Sequence, residues 1–221
     1  MSEIKVNKIS PATGTAITLG DSGDTLTVPS GATIANSGTA TGFGGGGAWT
    51  FIKSLTESGA STIELINGTS DVVFDNTYIA YELVGFNVVS SQDDTAPWIR
   101  FRTASDTTWQ TSGYKSTGVI GSGTSTGNWS ATTYVFQFDS TGTGTGEKFN
   151  FRMTFYNPAQ TTDYPSACWV ANGLRHERSA RHMSGHSVYS NSTGAIDGIQ
   201  LGTTGGNVSC DFLKLYGLSG S

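Results

Sequence analysis

The sequence predicts an all-β protein, a short N-terminal strand-and-turn segment followed by a jelly-roll-like antiparallel β-sandwich, and three observations carry that prediction. Gly, Ser and Thr fill 89 of the 221 positions, a usage that works against helices because Gly costs backbone entropy and Thr loses side-chain freedom on a helix. Aromatic residues make up 11% of the chain, more than a disordered chain of this kind carries, so a packed core is expected. Apolar residues recur with a period of two, as in Phe149, Phe151, Met153 and Phe155 set against Lys148, Asn150, Arg152 and Thr154, the alternation of a strand with one buried and one wet face.

The chain divides near Gly44. All five Trp fall between Trp49 and Trp169, and Phe43 is the one aromatic residue of 1–47. Between these compositions stand Gly44, Gly45, Gly46 and Gly47, which suit a hinge and not a strand or helix. The expected domains are therefore 1–47 and 48–221.

In the first segment, Ile17-Thr-Leu19 and Leu26-Thr-Val28 are separated by Asp21-Ser-Gly-Asp24 and followed by Pro29-Ser-Gly31 and Ile34. Short strands joined by turns are predicted. With eight aliphatic anchors (Ile4, Val6, Ile9, Ile17, Leu19, Leu26, Val28 and Ile34), the segment is too small for a lone core and oligomerisation is the natural remedy. The alternative is a disordered arm that orders on docking. Asp21 to Asp24 could hold Ca²⁺, but turn formation alone accounts for it.

In the second segment, about ten strands are predicted. Beside 148–155, they are 49–55, 62–65, 78–89, 99–102, 134–138, 168–170, 187–189, 196–201 and 208–218. Many short strands with turn-rich connections point to a sandwich, with the jelly roll as its leading topology.

Net charge is −5 with no basic run, so nucleic acid is not an expected partner. The N-terminus lacks the apolar segment of a secretion signal and no stretch approaches a membrane span, so a soluble, unsecreted protein without membrane insertion is expected. In that setting Cys168 and Cys210 read as buried free thiols, with a disulfide as the alternative.

Lys5-Val-Asn-Lys-Ile9, Gly14-Thr-Ala-Ile-Thr-Leu-Gly20 and Leu26-Thr-Val-Pro-Ser-Gly31 resemble the leader of phage tail fibre and virion appendage proteins. Asp75 to Leu83, Pro97 to Phe101, Ala195 to Leu201 and Phe212 to Gly217 look like a domain recurrent in structural proteins of marine phages. The resemblance implies a homotrimeric virion protein, localised to the particle, that contacts other virion proteins through 1–47 and offers a knob to host-surface polysaccharide. It brings no catalytic motif and no cofactor. A capsid decoration or connector protein that binds only virion partners is the alternative.

Two groups of residues could bind. Trp98, Trp109, Tyr114 and Trp129 lie in or beside polar segments where a flat ring could stack on a sugar, although such rings more often belong to a core or interface. Arg175, Arg178 and Arg181 share one stretch with all three histidines, His176, His182 and His186. Guanidinium forks suit carboxylates, so a positive lip for acidic sugars or a virion protein is one expectation, and a solvated connection paired with Asp or Glu across a trimer is the other. The histidine spacing, read as a loop, does not match structural zinc sites. Asp93-Asp94 are the neighbouring carboxylates, but adjacent strand residues face opposite ways and cannot flank one bond unless the loop bends. No catalytic residue is expected.

Overall fold

The computed structural model describes residues 9–25, 27–33, 49–122, 125–156 and 158–220, apart from the side chains of Ser125 and Trp129. The chain forms two compact units, 1–46 and 47–221. Gly44 to Gly47, Ile4, Val6, Leu26, Ile34 and Phe43 lie outside the described residues.

The described part of the first unit contains turns but no strand, so the expected strands around Ile17, Leu19 and Val28 are not formed in the single chain. The turns are where the sequence puts them. Asp24 N–H donates to Asp21 O at 3.0 Å and Ala32 N–H to Pro29 O at 3.1 Å. Asp24 Oδ2 also accepts the Asp21 N–H at 2.8 Å. Ile9, Ile17, Leu19 and Val28 remain exposed, because a strand forms only where a neighbour takes up its backbone groups and its apolar face.

The second unit is a β-sandwich of twelve antiparallel strands among the described residues. They are β1 (Trp49–Ala60), β2 (Thr62–Ile66), β3 (Ala80–Ser90), β4 (Pro97–Thr103), β5 (Tyr114–Ser122), β6 (Ser125–Ala131), β7 (Phe136–Gln137), β8 (Phe149–Tyr156), β9 (Ser166–Leu174), β10 (Ala180–Tyr189), β11 (Ile196–Thr203) and β12 (Val208–Leu218). The larger sheet runs β1-β12-β3-β8-β9-β10-β5-β6 and the smaller β2-β11-β4-β7.

The order follows from winding one long hairpin over two layers. Pairs nest outside-in as β1 with β12, β2 with β11, β3 with β8 and β4 with β7, and successive pairs alternate between the sheets. That is the jelly roll expected from the sequence. Two further hairpins, β5-β6 and β9-β10, pair through β10 with β5 and extend the larger sheet beyond β8.

Each sheet turns one set of alternate residues inward. Phe149, Phe151, Met153 and Phe155 of β8 meet Tyr81, Leu83 and Val88 of β3, Leu213 and Leu215 of β12, and Ile99 and Phe101 of β4 in one continuous core. Rings interlock at its centre, with Phe136 at 4.7 Å from Trp169 and Phe138 at 4.6 Å from Phe149. Glycine makes room where a ring lies flat on a neighbouring strand: a Cβ on Gly185 would stand 2.4 Å from Trp169, and one on Gly118 2.9 Å from it.

The sequence reading missed β5 and β6, and it treated 175–186 as a loop where β10 begins at Ala180. Both errors have one cause: Gly118, Gly121, Gly185 and the flanking Ser and Thr offer few apolar side chains to mark a period of two. Tertiary contact decides instead, as where Gly118 and Gly185 lie against Trp169.

Candidate functional site

Three connections meet at one end of the sandwich: 91–96 after β3, 138–148 after β7 and 175–179 between β9 and β10. Thr95 and Thr141 form a bridge between the first two, with Thr141 N–H donating to Thr95 O at 2.8 Å. The third is a tight reversal in which Arg178 N–H donates to Arg175 O at 2.8 Å and Arg175 N–H to Ser179 O at 3.1 Å. Arg178 takes a positive φ of 57°, which aims its side chain back at 138–148.

Every arginine of the predicted basic lip meets a carboxylate of its own chain. Arg181 Nε donates to Asp139 Oδ2 at 2.8 Å, and Arg175 stands 3.6 Å from the same oxygen and 3.3 Å from Glu177. Arg178 lies 3.8 Å from Glu147, whose carboxylate is buried. Glu147 accepts the Gly144 N–H at 2.8 Å, and a Cβ on Gly142 would stand 2.2 Å from its Oε2. The run Gly142-Thr-Gly-Thr-Gly146 therefore clears space for a carboxylate. Within the single chain Arg175, Arg178 and Arg181 are thus each paired with a carboxylate and do not stand as free cations.

The histidines do not gather. His176 Nδ1 contacts Ser140 Oγ at 2.9 Å and Asp94 Oδ1 at 3.1 Å. His182 and His186 sit at outward positions of β10, four residues and so about 13 Å apart along a strand. Among the described residues no three His, Cys, Asp or Glu stand close enough to hold a metal ion. Asp94, at φ 53°, turns to His176, whereas Asp93 Oδ1 points to Gly142. The loop does bend, yet it sends the two carboxylates to different partners.

Beside the Arg181–Asp139 pair opens a groove of about 350 Å³ lined by Ile120, Ser122, Thr126, Gly127, Asp139, Arg175 and Arg181. Its walls come from the β5-β6 hairpin and the β9-β10 reversal, so the two inserted hairpins create it. Two guanidiniums, the Asp139 carboxylate and the hydroxyls of Ser122 and Thr126 line it, a chemistry that hydrogen-bonds sugar hydroxyl groups.

The aromatic candidates fall elsewhere. Tyr114 is 1% exposed; its hydroxyl accepts the Phe101 N–H at 2.9 Å and donates to Gln110 O at 3.2 Å, and it cannot touch a ligand. Trp98 is 6% exposed, stacked on Tyr134 at 5.5 Å with the Arg100 guanidinium 4.2 Å from its ring. It lies over Gly202, where a Cβ would approach it to 2.4 Å, so it too is structural. Trp109 is half-buried over Gly198, with Arg102 at 5.8 Å. Arg102 in turn is held by Asp197 through two bonds of 2.9 and 2.7 Å. Trp129 pairs its backbone with Gly118 in β6, and its side chain lies outside the described residues.

The thiols are free: Cys168 is exposed on β9 and Cys210 is buried on β12. Burial pushes the Cys210 thiol up from its ordinary value, so it is neutral and inert at neutral pH.

What the sequence reading missed is the outer face of the larger sheet. Trp49, Phe51, Phe86, Val119, Tyr156 and Val170 are all exposed there. A signal existed, since Phe212-Leu-Lys-Leu-Tyr216 and Leu83-Val84-Gly-Phe86 place apolar residues on both strand faces, which a sheet wet on one side does not need.

Comparison of the chain with protein-family models, with curated proteins and with solved structures gave no match. No helix among the described residues is long and apolar enough to cross a membrane.

Proposed function

We propose that the chain is the subunit of a trimeric fibre or appendage on a virus particle, of the bacteriophage kind, and that it works by assembly and adhesion rather than catalysis. The observation that carries this reading is the first unit: Ile9, Ile17, Leu19 and Val28 stand exposed on a segment whose described residues make turns but no strand. Such a segment gains a core only by gathering copies of itself or by docking on a neighbour. The second unit needs no such help, because the whole continuous core lies within it. The likeness of the leader to those of phage fibres points the same way.

In this reading residues 1–47 anchor and trimerise, and the jelly roll is the knob. The groove between Asp139, Arg175 and Arg181 is the place for a sugar of the host surface, with the guanidiniums as donors to its hydroxyls, the Asp139 carboxylate as acceptor and the hydroxyls of Ser122 and Thr126 beside them. A decoration or connector protein would use the same sandwich for virion partners alone.

Light scattering on the full chain and on residues 48–221 tests the assembly. The expected result is three times the 23.1 kDa subunit mass for the full chain and a weakened or lost trimer on truncation. A monomer in both refutes the trimer. A glycan array then divides receptor from connector: binding lost in Arg181→Ala supports the knob, and silence on every glycan leaves the connector.

A further inference from the structure

The outer face of the larger sheet is the largest feature that the fold leaves without a role. In register across it run Phe51 of β1, Tyr216 of β12, Glu82 of β3, Thr154 of β8, Cys168 of β9, His186 of β10 and Thr117 of β5. A second row carries Lys214, Val84, Arg152, Val170, Ser184 and Val119. Phe86 and Phe212 stack at 5.0 Å, and Phe51 meets Tyr216 edge-on at 5.7 Å. These rings stay open to solvent, with Phe51 56% and Phe86 40% exposed. Antiparallel sheets that face water carry polar side chains outward, and exposed ring clusters such as Phe86–Phe212 and Phe51–Tyr216 mark an interaction site.

We infer that this face is the surface through which copies of the chain meet, the knobs of one assembly packing sheet face to sheet face. The inference rests on the trimer proposed above and adds where its contact lies.

Three observations select a second copy as the occupant. The first is size. Eight strands of 7 to 12 residues at about 4.8 Å spacing span on the order of 1,000 Å², more than the roughly 800 Å² per partner of one standard interface, with about half of that span for each of two neighbours in a ring. The second is charge. On β12, β3, β8 and β9, the second to fifth strands of the sheet, the outward charges are Lys214, Arg152, Glu82 and Asp211, two of each sign, with Lys115 of β5 beyond them, and Arg152 donates to Glu82 within the chain. A second copy meets no net repulsion, whereas an acidic glycan or basic partner finds no field to match.

The third is asymmetry. Aromatic rings lie toward β1, β12 and β3, and the smaller Val170, Cys168 and Val119 lie toward β9 and β5. Unlike halves of one face fit a head-to-tail contact, which closes into a ring. A hollow of about 190 Å³ between them, lined by Val84, Phe86, Asn150, Arg152, Val170 and Asn172, offers a seat for a partner's side chain.

Cys168, exposed on this face, is a built-in reporter, and buried Cys210 is its silent control. The test measures molar mass and the rate at which a thiol reagent modifies Cys168 in the full chain, in the wild type and in Phe51→Glu and Val119→Glu. The expected result is an assembled wild type whose Cys168 reacts about tenfold or more slowly than in the unassembled variants. Each substitution should lower the mass toward one subunit while far-UV circular dichroism stays that of the folded chain. Should a variant fail to fold, Cys168 protection in the assembled wild type, lost on dilution to monomer, decides the matter.

An assembled protein whose Cys168 reacts freely, or variants that stay assembled, overturns this inference and leaves the trimer standing. A wild-type monomer with reactive Cys168 overturns both. A monomer with protected Cys168 means that residues 1–47 cover the face in cis, which overturns this inference as well.

Discussion

Tyr114→Phe separates a core tyrosine from a sugar-stacking one. The ring sits at the start of β5, 1% exposed, with Tyr189 at 5.3 Å and Phe101 at 6.1 Å. Removing the hydroxyl keeps the ring and its packing. It leaves the Phe101 N–H, which now donates to the hydroxyl at 2.9 Å, without a partner in the middle of the smaller sheet. An orphaned buried donor costs about 1–3 kcal/mol. The Gln110 carbonyl, bonded at 3.2 Å at a half-buried site, recovers its bond from water and adds little. For a unit of this size each kcal/mol moves Tm by about 2–4 °C, so a loss of about 2–12 °C is expected. Urea unfolding should show a lower midpoint at unchanged slope, because no additional surface is exposed. A loss below about 0.5 kcal/mol, or a loss of glycan binding at unchanged stability, would show the reasoning to be wrong.

Two further outcomes follow from the core. Gly85→Ala places a methyl 2.1 Å from the Phe151 ring, which is buried on β8 and has no space to turn, so overpacking should cost about 1–3 kcal/mol or more in urea unfolding; wild-type stability would mean that β3 and β8 can part at this point. Alkaline stability is set by Tyr81, Tyr114 and Tyr189, all raised chiefly by burial, with Tyr81 pushed up to about 12 and Tyr114 higher still. The folded chain holds these phenols protonated while the unfolded chain loses them from about pH 10. Their stabilisation is therefore complete below pH 10 and falls as pH rises toward the folded values, by up to about 1.4 kcal/mol per pH unit for each. Phenolate absorbance in the native state should lag for these three; simultaneous titration of all tyrosines before unfolding would contradict the burial.

How much of the fold was legible depended on whether a strand carried its own apolar alternation. β8 announced itself through Phe149, Phe151, Met153 and Phe155, and β4, β11 and β12 did so nearly as clearly. Turn chemistry also placed the turns at Asp21 to Asp24 and Pro29 to Ala32. Those properties are local, since period and turn preference reside in the residues themselves. β5, β6 and the start of β10 were illegible because Gly, Ser and Thr fill them, and Gly118 of β5 and Gly185 of β10 receive Trp169 from another strand. The candidate site was legible only as a list of arginines: nothing in Arg175, Arg178 and Arg181 told that Asp139 and Glu147 would come to neutralise them. Trp98 and Tyr114 read as ligand rings from their polar neighbours until the nested hairpin laid one over Gly202 and the other under Phe101. The sequence determined that this chain would make strands and where it would turn. Only the tertiary structure decided which faces meet, because burial and ion pairing depend on partners brought from distant strands.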